Sequence, residues 1–369
     1  MVHTDGPLTQ ALAPAARREH IWLRYILFSV LFCALSSAYA QTLSLDQALA
    51  SAEGRTNVIN ARIELENARV DLERAQADPL ITRIPLLQAQ QRFETALADF
   101  ERVYYEALTE IATAYTNLQN AALGLELSQK ALDVNQQAVQ VSEIRFNNGS
   151  ITELELQEAR TELESARTQA INSRNTLAVA QTNLASILGY DVDSAQLEPV
   201  PETRLVSVPV LEAALATSLG HPNILQAQQG FELASASLDT LDPLYASVSQ
   251  IDDARNQVET AQEGATEAAR AYSILVRNLH TLAENAAEVY VDEQDRLSNA
   301  VERLETEQQR FDAGLISQFA LNQQELTLEQ AIFNALQARN NYLVALLELQ
   351  DASFVPVTGD LLEVRDAGE

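Results

Sequence analysis

Two stretches of this chain, residues 86–198 and 244–355, contain no proline, although ten prolines occur elsewhere. Proline lacks the amide N–H that a helix interior uses, and its ring clashes with the preceding turn. Two proline-free windows of about 110 residues therefore predict long helices. In the part of the chain after residue 40, the prolines are Pro79, Pro85, Pro199, Pro201, Pro209, Pro222, Pro243 and Pro356, all outside the two windows.

The windows are copies of one another, offset by about 165 residues. Arg145-Phe146-Asn147-Asn148-Gly149-Ser150-Ile151-Thr152 returns as Arg310-Phe311-Asp312-Ala313-Gly314-Leu315-Ile316-Ser317. Gly149 and Gly314 suit the left-handed conformation that ends a helix. The residue just after each glycine is expected to cap the next helix. Each copy then reads as the tip of a helical hairpin. Arg174-Asn175 recurs as Arg339-Asn340, Leu163-Glu164 as Leu328-Glu329, and Asp78-Pro79 as Asp242-Pro243.

Within the windows apolar residues recur every seven positions. Leu97, Tyr104, Ile111, Leu118, Leu125, Leu132, Val139 and Phe146 form one series, and Val276, Ala283, Tyr290, Leu297, Leu304 and Phe311 form another. Past the tips, Leu156, Leu163, Ala170, Leu177 and Leu184 are matched by Leu321, Leu328, Ala335, Tyr342 and Leu349. A strict seven-residue repeat keeps one seam against a partner helix. Ala112, Ala114, Ala121 and Ala122 leave room for a second close contact. Helices touched on two sides suit a closed ring, and a simple antiparallel bundle is the alternative. The expected fold is all-α: duplicated long antiparallel coiled-coil hairpins with little or no β-structure. Expected helices are 43–77 (weakest near Gly54), 86–146, 150–188, 210–241, 248–311 and 315–351. The domain reading is 1–40 a signal peptide, 41–198 a first repeat, 199–209 a linker, 210–352 a second repeat and 353–369 a tail. A short extended piece is expected at Leu205–Val208.

Arg17, Arg18 and Arg24, the apolar run Ile21–Leu35 and Ala38-Tyr39-Ala40 read as an export signal, with a mature start at Gln41. The competing reading is an uncleaved anchor, although the run is short for a membrane span. The formal charge is −28, which disfavours nucleic acid and anionic lipid as partners. The single cysteine is Cys33, so an exported mature chain would be held by packing alone. Only His221 and His280 follow residue 40, without metal-ligand or triad spacing, and no Gly-rich phosphate loop occurs. No enzyme, cofactor or metal site is expected. His221, just before Pro222, suits a cap at a helix start.

The duplicated R-[FY]-x-x-G-x-x-[ST] tips, the opening Leu43-Ser44-Leu45-Asp46-Gln47-Ala48-Leu49, the run Glu155-Leu156-Gln157-Glu158-Ala159-Arg160 and the paired Arg-Asn steps resemble the outer-membrane efflux protein (TolC) family. The resemblance implies a homotrimer whose helices form a tunnel, with each copy also giving a β-hairpin to an outer-membrane barrel. It implies that the tips (Arg145, Phe146, Gly149, Ile151, Arg310, Phe311, Gly314 and Ile316) meet a periplasmic adaptor and an inner-membrane pump or secretion transporter. The family's acidic entrance positions fall on Glu155 and Glu158, but on Ala320 and Gln323 in the second copy. First-turn carboxylates also favour a helix dipole, which gives Glu155 and Glu158 an ordinary structural role as the alternative.

One departure stands out. A membrane hairpin needs two strands of about 9–11 residues each, and Pro79 to Pro85 or Pro243 to Asp253 cannot supply them. No segment after residue 40 offers a membrane span. The expectation is a passive efflux or secretion duct without its own barrel, in the periplasm or cell envelope, outer-membrane associated through another protein. The alternative is a coiled-coil spacer without transport.

Overall fold

The computed structural model describes residues 42–192, 197–201, 205–242 and 244–355. The elements below lie in the unit that begins at Leu43. In order, the helices are α1 (Leu45–Ala50), α2 (Thr56–Ala77), α3 (Arg83–Asn147), α4 (Glu153–Leu188), α5 (Leu211–Thr217), α6 (Pro222–Asp239), α7 (Val248–Asp312) and α8 (Gln318–Ser353). Short 3-10 turns, Ser51–Gly54 and Ser218–Gly220, separate α1 from α2 and α5 from α6. No strand forms among the described residues. Leu43 and Leu197 make an isolated parallel bridge, and the piece expected at Leu205–Val208 pairs with no strand.

The two repeats coincide. α3 and α7 are each 65 residues, α4 and α8 each 36, and both pairs of boundaries differ by 165. α3 would extend ~98 Å, against ~33 Å for α2 and ~54 Å for α4. Both shorter helices pack along α3, and α6 and α8 pack along α7 in the same way. The hairpins join where α8 lies against α3. α3 is therefore covered on two flanks, as its alanines allow: Ala112 and Ala114 are buried.

The turns that follow Asp78 and Asp242 are built alike. Asp78 Oδ1 accepts the Leu80 N–H at 2.9 Å, and Asp242 Oδ1 accepts the Leu244 N–H at 2.8 Å. α3 starts five residues after Asp78 and α7 six after Asp242. The predicted single helix over 43–77 is broken at Gly54–Arg55, and the one over 210–241 is broken at Gly220–His221. Arg55 and His221 are extended N-caps with ψ of 140° and 138°.

Two buried clusters hold the unit together. The first sets Leu45, Ala48, Leu49 and Val58 against Leu108, Ile111, Tyr115 and Leu118 of α3 and Leu343 and Leu347 of α8. The second sets Ala214 and Ile224 against Tyr272 and Val276 of α7 and Leu346 and Leu349 of α8. α8 serves both, so the second repeat's return helix ties the copies together. Tyr115 donates to Leu43 O (2.8 Å) or Glu198 O (2.7 Å) and straps the inter-repeat segment to α3.

Candidate functional site: tips, edges and groove

At each tip the chain closes with the same pair of hydrogen bonds. Gly149 N–H donates to Phe146 O and Ser150 N–H to Arg145 O, both 2.8 Å. Gly314 N–H donates to Phe311 O and Leu315 N–H to Arg310 O, again 2.8 Å. This is the Schellman arrangement, in which a left-handed residue satisfies the last carbonyls. The glycine φ values are 68° and 71°. The expectation that the residue after each glycine caps the next helix is corrected. The caps are Thr152 and Ser317, three residues on, accepting from Glu155 N and Ala320 N. The second copy has Leu315 after its glycine, which has no side-chain oxygen to cap with.

Arg145, Phe146 and Leu315 are exposed, and Ile151, Phe311 and Ile316 are half-buried. Arg310 pairs with Glu307 at 2.8 Å. Glu155 accepts from Thr152 N (2.7 Å) and Thr152 Oγ1 (2.9 Å), closing a capping box. Those bonds, the backbone one foremost, hold its carboxyl below the usual range. Glu155 thus has a structural task, and both it and Glu158 are exposed.

α8 meets α3 through polar pairs. Lys130, the only lysine in the sequence, reaches Glu329 at 3.0 Å and Glu325 at 3.7 Å. Asn340, 1% exposed, donates to Asn120 Oδ1 at 2.8 Å. Asn322 donates to Gln137 Oε1 at 2.7 Å. Each hairpin therefore has one joined helix, α3 or α8, and one edge helix, α4 or α7.

A groove of about 1260 Å³ runs over α3 between α4 and α8. Asn117, Asn120, Ser128, Asn172 and Gln337 line it together with Phe333, and no lining side chain is charged. Phe333 lies against Gly124, where a Cβ would stand 3.4 Å from its ring. Gly124 is nine residues past Tyr115, about two and a half helical turns. The groove thus occupies the face of α3 opposite the one that Tyr115 straps to the linker.

The histidines serve packing. His221 Nδ1 accepts the Asn223 N–H at 3.3 Å as the α6 cap, as its place before Pro222 predicted. Its ring stacks on Tyr272 (centroids 4.4 Å) and lies 5.3 Å from Phe354. Burial, with Arg102 nearby, lowers its pKa to about 4. His280 Nε2 lies 2.8 Å from Pro209 O. Beside this cluster burial lifts Asp351 to about 6, with Glu106 adding to the rise, Arg102 opposing it and Glu348 adding less. Sequence reading missed this group, whose members lie far apart in the chain and share no motif. No group of metal-ligating side chains gathers among the described residues.

The two shifts give opposite pH dependences. Folded His221 loses its proton near 4 and a free histidine near 6.5, so the unfolded chain binds more protons between those values. That stability, present above 6.5, is lost as the pH falls towards 4. Folded Asp351 keeps its proton up to about 6 against a free aspartate's 3.8, so stability falls as the pH rises through that window. Asp351→Asn is expected to stabilise the chain above pH 6 by about 1–2 kcal/mol after allowance for solvent screening. Urea midpoints at pH 4.5 and 7.5 check this; a variant gaining nothing at pH 7.5 removes the assignment.

Two long helical hairpins side by side, with α4 and α7 at the edges, define an all-α duplicated-hairpin unit. Residues 82–190 match the profile of the family described as "Outer membrane efflux protein". No curated protein matches the chain. Among solved structures, CusC, in a study of its folding and transmembrane channel formation, is 18% identical with a TM-score of 0.60, covering 84% of this chain and 94% of its own. The open-state MtrE outer membrane channel of Neisseria gonorrhoeae is 15% identical (TM-score 0.58, 84% and 88% covered). The outer membrane protein VceC of Vibrio cholerae is 15% identical (0.56, 84% and 95%). The resemblance read from the tips and the duplication is thereby shown, by sequence over residues 82–190 and by fold over the described chain.

Proposed function

We propose that this chain is one protomer of a passive, homotrimeric helical duct for efflux or secretion, lacking a β-barrel of its own. The carrying observation is the pair of edge helices. α4 leaves Ile171 exposed, and α7 leaves Leu275, Leu282 and Val289 exposed at seven-residue spacing. Apolar seven-residue series belong against another helix, and further copies of the chain supply one. The strapped face of α3 would point outward, because the linker would otherwise obstruct the bore. The uncharged groove face would line it.

The tips at Arg145, Phe146, Gly149, Ile151, Arg310, Phe311, Gly314 and Ile316 dock a periplasmic adaptor and, through it, an inner-membrane pump or secretion transporter. Glu158 remains as an acidic entrance position, with Glu155 shared with its cap. Residues 1–40, outside the described residues, act as the export signal, and the repeats divide at the 199–209 linker. The protein works in the periplasm or cell envelope as a non-enzyme, reaching the outer membrane through another protein. A spacer without transport is the second reading. The tight Asp78 and Asp242 turns favour it, since a duct that ends there needs another protein to open outward.

Gly149→Pro removes the N–H bonded to Phe146 O and forbids φ 68°, a local cost of about 3 kcal/mol. It is expected to abolish pull-down of a co-expressed adaptor while circular dichroism stays helical. Undiminished pull-down would remove the docking assignment. Transport is tested by restoring export in a strain without its own efflux duct. Growth unchanged by the protein in the presence of an exported toxic compound would favour the spacer.

A further inference from the structure

Four large apolar side chains are barer than any others among the described residues. Leu80 and Leu244 are 86% exposed, Tyr245 is 88% and Val248 is 76%. Leu80 belongs to the turn before α3, and the other three to the turn that leads into α7. Arg83, which opens α3, reaches Asp239, which closes α6, at 3.3 Å, so the two turns lie side by side. Leu80 and Leu244 hold the same place in them, two residues after an aspartate whose carboxylate accepts their N–H. Both repeats therefore lift a leucine clear of the fold at the equivalent point, where a polar side chain would serve the turn equally well.

The backbone donors at both turns are already used. Pro79 and Pro243 have no N–H. Leu80 N–H donates to Asp78 Oδ1 at 2.9 Å and Ile81 N–H to Asp78 O at 3.2 Å. Leu244 N–H donates to Asp242 Oδ1 at 2.8 Å, and Tyr245 and Ala246 N–H to Asp242 O at 2.9 and 2.8 Å. Ser247 N–H donates to Gln250 Oε1 at 2.8 Å. A turn in water needs no such closure, because solvent serves any free N–H. In lipid an unserved N–H is costly, and the chain must satisfy it internally. Past the shared Pro-Leu step the turns differ, Ile81-Thr82 in one and Tyr245-Ala246 in the other. Apolar protrusion without a common shape suits a continuous apolar medium better than a partner with fitted pockets. Tyr245 adds a ring with a polar tip, a side chain that favours the boundary between lipid and water.

Charge narrows the kind of lipid. Residues 71–83 and 239–255 hold seven acidic side chains and three arginines. Each arginine is held by an aspartate: Arg74 by Asp71 (3.3 Å), Arg83 by Asp239 (3.3 Å) and Arg255 by Asp252 (3.4 Å). This end is therefore net acidic and repels anionic headgroups.

We propose that Leu80, Leu244, Tyr245 and Val248 seat this end of the protein in the interfacial layer of a zwitterionic lipid surface. The contact lies on the lipid and does not span it; no helix among the described residues is long and apolar enough to cross a membrane. It goes beyond the duct reading and is independent of it. A protein that opens the outer layer would then meet this chain at an end already resting on lipid.

Flotation with phosphatidylcholine vesicles tests it. The protein should float with them, and Leu80→Ser with Leu244→Ser and Tyr245→Ser should lower the bound-to-free ratio at least about tenfold. The three positions are so exposed that circular dichroism should show unchanged helix. Val210→Ser, a bare apolar residue beside Pro209 and away from the turns, should stay within about twofold of the parent. Tyr245→Trp, made with Trp22→Phe so that one indole is present whether or not the signal is removed, should shift its emission to shorter wavelength on the vesicles. Lipid carrying a nitroxide in its upper acyl chain should quench it. A third of phosphatidylglycerol in the vesicles should weaken binding. Absence of flotation, flotation equal in the triple variant, or an indole that neither shifts nor is quenched overturns the lipid contact. Tighter binding to the anionic vesicles overturns the zwitterionic surface. Light scattering, which decides the duct reading, is read separately, so either can fail while the other stands.

Discussion

Replacing Tyr115 with alanine is expected to lower stability by about 3–5 kcal/mol, the range for removing a large buried aromatic. Tyr115 is 0% exposed and is the largest of the fully buried side chains. It packs in the cluster that joins α1, α2, α3 and α8. Its hydroxyl also serves the carbonyls of Leu43 and Glu198, which lie on either side of the first repeat. Tyr115→Phe keeps the ring and loses the strap, at about 1–2 kcal/mol. Glu198 O retains the Gln119 amide, and Leu43 O retains Glu198 N–H at 3.1 Å. Urea denaturation of the two variants separates packing from strapping. Equal losses would mean that the ring contributes nothing beyond its hydroxyl.

Asn340→Asp is expected to cost about 2–4 kcal/mol, because a carboxylate there is buried against amide oxygens and can no longer donate. Asn340 is 1% exposed and faces two amide oxygens, Asn120 Oδ1 at 2.8 Å and Gln119 Oε1 at 3.4 Å. The same substitution at the equivalent Asn175, exposed on α4, should change an isolated copy by less than about 0.5 kcal/mol. In the assembly it should weaken association instead. Denaturation of both variants, beside their oligomeric masses, checks the contrast. A harmless Asn340→Asp would mean that the inter-hairpin seam tolerates a charge.

Much of the architecture was legible because it is periodic. A seven-residue apolar series needs no distant partner to be recognised, and Ile111, Leu118, Leu156, Leu184, Leu321 and Leu349 are buried as their spacing predicts. Gly149 and Gly314 were legible because the left-handed conformation selects for glycine. The equivalent end of α4 also uses a glycine, Gly189 at φ 80°, but α8 ends on Phe354 at φ 57°. There the ring, wedged beside Tyr105 and His221, takes the place of an easy backbone. Such a residue gives no local signal. The same holds for Asp351, whose burial depends on elements far from it in sequence, and for Lys130, whose partners lie almost 200 residues away. Among the tip residues, sequence identified the break but misplaced the caps, since Thr152 and Ser317 act only after the chain has turned three residues past the glycine. Glu155 was legible as a first-turn carboxylate, and its capping bonds give it a structural task.

In the proposed duct the edge helices close on further copies of the same chain. Light scattering of the purified protein at moderate salt tests it most directly. A single species of three times the chain mass is expected. A species of one chain mass, unchanged on concentration, would contradict it.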